Sequence, residues 1–292
     1  MKNLARTFGL ALLLIAGLLQ ACTSVDTSPV SSSTPPACTE AGQTWTSPLD
    51  EMTLTCVPSG SFLMGAAEDD LQAEADEKPQ HPVFLDAFWI DRTEVTNAMF
   101  AKCIAAGACH ERKISPYLWG VYLPNGTPYY GEAGYDDFPV IMLDSAEAQA
   151  YCTWVGRRLP FEAEWEKAAR GTDGRLYPWG DALDCEHANY LGCENKPAEV
   201  TAYAAGLSPF GAYNMSGNLW EWVADWYNPA YYAQSPAQDP HGPQAGEFRT
   251  LRGGGWRSLA AQLRVTNRSS GKPEHATDGE IGIRCAWSAA VP

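Results

Sequence analysis

The sequence predicts an α+β domain low in regular secondary structure, on three observations. Glycine and proline number 26 and 21, so turns are frequent and long helices few. Only three segments combine helical spacing with start and stop signals. The apolar runs elsewhere are short and strand-like. The elements are read in chain order. Residues 82–91 form an apolar, strand-like run. The spacing of Met99, Phe100, Cys103 and Ile104 predicts a helix over 96–106, opened by a Thr96/Asn97 cap and stopped at Gly107. A second helix over 145–155 starts at Asp144, three residues before Glu147, as a capping box does, and ends at Gly156. A third over 160–170 has Pro160 and two acids, Glu162 and Glu164, in its first turn and ends at Gly171. Phe161, Trp165, Ala168 and Ala169 give it one buried face. Residues 248–252 read as another strand.

The 292 residues are 45% hydrophobic and only 19% charged, with 11 tryptophans. That is enough for a core and too little charge for a disordered chain. Tryptophans plug the core where sheets are small. The net charge of −15 argues against nucleic acid as a partner. Nine cysteines is an odd count, so at least one lies outside intrachain disulfides.

The N-terminus accounts for it. Residues 1–21 carry Lys2 and Arg6, no acid, and an apolar run from Phe8 to Leu19. This pattern reads as a secretory signal peptide, short for a spanning helix of about 20 residues. The run ends in Leu19-Gln20-Ala21-Cys22, which resembles a bacterial lipobox with Cys22 as the lipidated residue. A Ser/Thr/Pro-rich tether over 22–37 follows, then a domain over 38–292. Thr23 in place of aspartate resembles an outer-membrane address in a cell with two membranes. Losing 1–21 removes two of 20 basic residues and none of 35 acids, which leaves 18 against 35, or −17. The expected location is the cell envelope, outside the cytoplasm, with the membrane as partner through the N-terminal lipid. Eight cysteines remain, an even number in a disulfide-permissive compartment. There is no Cys-x-x-Cys, and His81, His110, His187, His241 and His275 are scattered, so zinc is not expected.

Nine segments carry a family resemblance. They begin with Phe62-Leu63-Met64-Gly65, Pro79-Gln80-His81-Pro82-Val83 and Glu94-Val95-Thr96-Asn97. Ala150-Tyr151-Cys152-Thr153-Trp154 and Arg158-Leu159-Pro160-Phe161-Glu162-Ala163-Glu164-Trp165-Glu166 follow. Then come Tyr177-Pro178-Trp179-Gly180 and Asn214-Met215-Ser216-Gly217-Asn218-Leu219-Trp220-Glu221-Trp222. Arg252-Gly253-Gly254-Gly255-Trp256 and Ile281-Gly282-Ile283-Arg284-Cys285 close the series. In this order, over about 52–288, the chain resembles the formylglycine-generating-enzyme, or sulfatase-modifying-factor, family. The resemblance implies a C-type-lectin-like variant fold. It also implies oxidation of a sulfatase-peptide cysteine to formylglycine by oxygen and copper(I), held between two cysteines after Arg-Gly-Gly-Ser. Soft thiolates suit copper(I). In this chain the stretch 255–264 contains no cysteine, Gly255 stands at the motif serine, and Glu280 stands at the family's active-site asparagine. No copper and no catalytic residue are therefore expected.

The resemblance also implies a disulfide between Cys152 and Cys285, a long loop whose closure is worth ~4 kcal/mol. The family's second bridge falls at Ala169 and Val265, both partners absent together. Cys103–Cys109 then pair locally, and Cys185–Cys193 and Cys38–Cys56 complete the set by proximity. Asn214, Gly217, Leu219 and Glu221 match the family's calcium loop, with hard oxygens at plausible spacing. The bland alternative is a turn before a Trp-anchored strand. A second calcium site would begin at Asn189 and Tyr190. Trp256, Arg264, Arg268 and Glu280 match positions beside the peptide groove and are candidate ligand contacts. The alternative for the arginines is burial against Trp and backbone carbonyls. The acids from Glu68-Asp69-Asp70 to Glu77 read as a solvated loop. No phosphate loop, Gly-x-Ser-x-Gly or His-Glu-x-x-His is present.

Three functional readings follow. The first is a lipoprotein that binds a peptide, protein or small ligand without redox catalysis. The second is a divergent oxidative enzyme of the superfamily, whose relatives serve ergothioneine and pyoverdine biosynthesis. The third is a lectin-like display protein diversified near its C-terminus, for which residues 256–283 are not rich enough in Asn, Tyr and Ser.

Overall fold

The computed structural model describes residues 34–111, 134–274 and 279–289. The leader, Cys22 and most of the tether lie outside them. Among the described residues no helix is long and apolar enough to cross a membrane.

The described residues form ten short strands and three α-helices: β1 (Thr44–Thr46), β2 (Thr53–Val57), β3 (Gly60–Met64), β4 (His81–Leu85), β5 (Phe88–Asp91), α1 (Asn97–Ala105), α2 (Ser145–Trp154), α3 (Glu162–Arg170), β6 (Trp220–Trp226), β7 (Arg249–Arg252), β8 (Ser269–Gly271), β9 (Ile281–Gly282) and β10 (Ala286–Trp287). They form three small sheets. One runs β1-β2-β5-β10, all antiparallel; one is the β3–β4 hairpin; the third runs β8-β7-β6-β9, with β6 and β9 parallel. The α+β class with little regular structure is what the turn-rich composition predicts.

The helices start where their caps place them. Thr96 Oγ1 accepts from Met99 N at 3.2 Å. Asp144 and Glu147 exchange both capping-box hydrogen bonds, at 2.7 and 3.1 Å. For α3 the first amides are met from outside and within: Asp225 of β6 accepts from Glu162 N at 2.8 Å, and Glu164 accepts from Phe161 N at 2.8 Å.

Two expectations need correction. The run over 82–91 is two strands in different sheets, because the chain turns at Asp86, whose amide is taken by Asp239 at 2.9 Å. Helix α3 has no solvent face: Glu162, Glu164, Glu166, Lys167 and Arg170 are buried along with Ala163, Trp165, Ala168 and Ala169. Phe161 is only half-buried.

Trp89, Trp165 and Trp222 fill the interior between the sheets and α3. Ala169 and Val265, where the family's second bridge would fall, sit in one apolar core cluster. The structure forms the four disulfides Cys38–Cys56, Cys103–Cys109, Cys152–Cys285 and Cys185–Cys193, the pairs expected from the sequence. Such bonds persist in oxidising compartments.

Candidate functional site

The C-terminal stretch after β7 is bolted to the core by ion pairs. Glu166 of α3 accepts from Arg252 at 2.6 Å and lies 3.1 Å from Arg170. Glu162 binds Arg268 through Nε at 2.7 Å and Nη2 at 2.9 Å. Glu77 binds Arg264 through both terminal nitrogens at 2.7 and 2.6 Å and takes the Thr266 hydroxyl at 2.6 Å. Burial alone would push these carboxyls up. Arg264 and Thr266 hold Glu77 below the usual range, and Arg268 with Arg252 does the same for Glu162. Asp225, buried beside Glu162 with fewer cationic partners, is pushed well up, first by burial and then by that charge.

These pairs decide between the two readings of the arginines. Arg264 and Arg268 are buried and turned to internal carboxylates, so they build the wall rather than face a ligand. Glu77 likewise leaves the solvated loop assigned to it, because Arg264, 187 positions away, meets it in the interior.

What remains at the surface is a compact polar patch on an aromatic floor. Trp256 is buried, donating Nε1 to Gly279 O at 3.2 Å, and packs with Ile141, Met142 and Leu219. The Arg257 guanidinium lies 4.7 Å over its ring and pairs with Glu280. Arg257 was not among the sequence candidates; its place directly after Trp256 was the available signal. Gly255 and Glu280 explain each other: a Cβ on Gly255 would stand 2.7 Å from Glu280 Oε2. The larger acid at 280 thus fills the space a side chain at 255 would need. Ser258 is buried and accepts the Gly255 amide at 2.8 Å, so its oxygen supports the loop.

Beneath this patch lies the 214–221 loop. Asn214, Gly217 and Asn218 adopt positive φ of 53°, 89° and 67°. A Cβ on Gly217 would come within 2.6 Å of Asn189 O, so that position requires glycine. Asn214 and Asn218 each donate to Glu94 at 2.8 Å. Glu94, a residue of the third quoted motif not singled out from sequence, is pushed up to about 7 by burial, with Arg284 opposing and Glu221 adding. Glu221 accepts from Arg284 at 2.8 Å and from Trp165 Nε1 at 2.7 Å. Leu219 is fully buried. The loop therefore gathers two buried carboxylates against one guanidinium, with amide oxygens nearby. Hard oxygens are the donors calcium takes; among the described residues no group of three or more His, Cys, Asp or Glu is placed to hold a metal ion. Asn189 uses its side chain locally, donating to Lys196 O at 2.8 Å and accepting from Glu194 N at 3.3 Å. Tyr190 O accepts from Cys193 N at 3.0 Å. Asn189 also ties this loop to the 214–221 loop, its Nδ2 donating to Asn218 Oδ1 at 3.2 Å and its carbonyl accepting from Asn218 N at 2.8 Å.

A thiolate copper site does not fit. All eight cysteines between Cys38 and Cys285 are in disulfides, and none lies in 255–264.

Comparison with known proteins places these features. Residues 40–289 match the model of the sulfatase-modifying factor enzyme 1-like domain. The formylglycine-generating enzyme of Streptomyces coelicolor is 35% identical over 277 residues, covering 79% of this chain and 87% of that protein. A serine/threonine-protein kinase, pkn1 of Chlamydia caviae, is 36% identical over 237 residues and 79% of this chain; the match spans 37% of the kinase's length. Among solved structures, PvdO from Pseudomonas aeruginosa superimposes with a TM-score of 0.70 at 26% identity, covering 85% of this chain and 98% of PvdO.

Proposed function

The chain belongs to the sulfatase-modifying factor enzyme 1-like domain family, and on that premise we propose that it is an envelope lipoprotein whose domain recognises a ligand without copper oxidation. One observation carries this reading: where the family motif continues into the copper cysteines, this chain puts the Arg257–Glu280 pair over Trp256 and has no thiol. An aromatic floor under a half-exposed arginine and a carboxylate suits recognition of a polar peptide or small ligand. It offers no nucleophile–base pair among the described residues of the patch.

Calcium serves the site structurally in this reading. Asn214 and Glu221 would hold it with side-chain oxygens, Gly217 and Leu219 with carbonyls, and its charge would offset the buried carboxylates of the loop. Cys22 would carry the lipid, tethering the domain to the membrane. The disulfides support an oxidising location.

Two measurements test the proposal. Cys22→Ser should move the protein from the membrane to the soluble fraction; unchanged membrane retention counts against the anchor. Under anaerobic titration with a copper(I) chelator as competitor, the purified protein should take no copper. Stoichiometric copper(I) binding would overturn the non-copper reading.

A further inference from the structure

A second cleft lies away from the Trp256 patch. It has a volume of 340 Å³ and is enclosed by the β4–β5 connection, the approach to α3 and the loop that carries Asp239 and His241. The walls are tied together. Asp239 accepts the Asp86 amide at 2.9 Å, and its own amide donates to Phe84 O at 2.9 Å. Arg158 donates to both oxygens of Glu164 at 2.7 Å, and its guanidinium lies 4.7 Å over the Phe161 ring. That ring stacks on His241 at 3.8 Å and 13°. The cleft therefore has a preformed aromatic wall rather than a collapsible one.

The charge of the lining selects the ligand. Glu164 neutralises Arg158, so that cation is not offered to an anion. Lys167 is held by the Pro58 and Gly60 carbonyls at 2.8 Å and feels the charge of Asp239. Asp86 is exposed at the rim, and no ion pair among the described residues engages it. Arg158 and Lys167 thus stand against Glu164, Asp239 and Asp86, an excess of one negative charge at the cleft, within a chain of net charge −15 that repels anions. Preformed pockets of a few hundred Å³ with mostly apolar walls and a few convergent polar groups suit small ligands.

We propose that this cleft binds a small organic cation with a flat apolar body, such as an aryl amidine or amine. The flat body lies along the Phe161–His241 wall and the cationic head faces Asp86 and Asp239. The site is independent of the Trp256 patch and of any metal.

The probe is benzamidine, titrated into the full chain by calorimetry and followed by amide shifts, with benzoate as the isosteric anion. Saturable one-to-one binding is expected, with benzoate weaker by at least about tenfold. Asp86→Asn, an exposed substitution that leaves the fold intact, should weaken benzamidine by about three- to tenfold. His241→Ala should weaken it too, while Arg257→Ala should not. Absence of saturation, equal binding of benzoate, or unchanged affinity in both Asp86→Asn and His241→Ala would overturn the proposal.

Discussion

Gly255 and Glu280 stand where the family resemblance expects serine and asparagine, and the contact between them makes the two departures a single change. Gly255→Ser would place a Cβ 2.7 Å from Glu280 Oε2, 3.0 Å from Glu280 Cβ and 3.3 Å from Trp220 Cδ1. The Glu280 side chain is only 12% exposed and is held by Arg257, so it has little room to yield. Overpacking of this kind costs about 1–3 kcal/mol. Glu280→Asn alone removes a partly exposed ion pair and should cost ~1 kcal/mol or less. In the double variant the shorter side chain removes the closest contact, the one to Oε2, and leaves those to the Cβ of residue 280 at 3.0 Å and to Trp220 Cδ1 at 3.3 Å. Replacing glycine at a φ any residue adopts then removes unfolded-state entropy, a gain of roughly 0.4–1 kcal/mol. The expected coupling is therefore ~2 kcal/mol, with the second substitution rescuing the first. Urea denaturation of the four proteins at constant m-value measures it. If Gly255→Ser costs the same whether residue 280 is Glu or Asn, the steric account of this site is wrong.

Other outcomes follow from the buried charges and the disulfide frame. Arg264→Met strands Glu77 without its guanidinium and should destabilise by about 3–5 kcal/mol, whereas Arg264→Met with Glu77→Gln should recover most of that loss in thermal melts; recovery of nothing would return Arg264 to a ligand-facing role. Asp91 is buried beside Asp50 and Arg157, and burial raises its carboxyl to about 7 from the ordinary 3.8. Its folded-state pKa is raised, so the stability it contributes is full below about pH 4 and is lost as pH rises through 7. Asp91→Asn should flatten that fall in denaturation midpoints, and an unchanged slope would remove Asp91 as its cause. Replacing Cys152 and Cys285 by serine opens a span of 133 residues and should lower stability by about 4–5 kcal/mol; a change below 1 kcal/mol would show that the packing alone holds α2 to the last strand. Calcium should raise the Tm and a chelator lower it, and Glu221→Gln should abolish the difference.

Local signals were readable where the physics is local. The caps of α1 and α2 lie within three residues of the groups they satisfy, so Thr96 and Asp144 mark their helices without tertiary knowledge. The buried ionic frame is different. Arg264 finds Glu77 across 187 positions and Arg268 finds Glu162 across 106, and no window of sequence holds both partners. That distance is why α3 reads as amphipathic although its charged face is buried, and why Glu77 reads as part of a solvated loop. The break between β4 and β5 was hidden for the same reason, since Asp239 caps the Asp86 amide from far along the chain. The family motifs supplied the candidate loop of 214–221 and the position of Glu280. The pairing of Glu280 with Arg257 needed the fold.

The domain keeps the family's architecture, and in the proposed reading it lacks the copper chemistry. The direct test is incubation of the purified protein with a Cys-x-Pro-x-Arg peptide, copper, reductant and oxygen, read by mass spectrometry. The peptide cysteine should remain unconverted. Appearance of the aldehyde, at turnover above a protein-free control, would contradict the account.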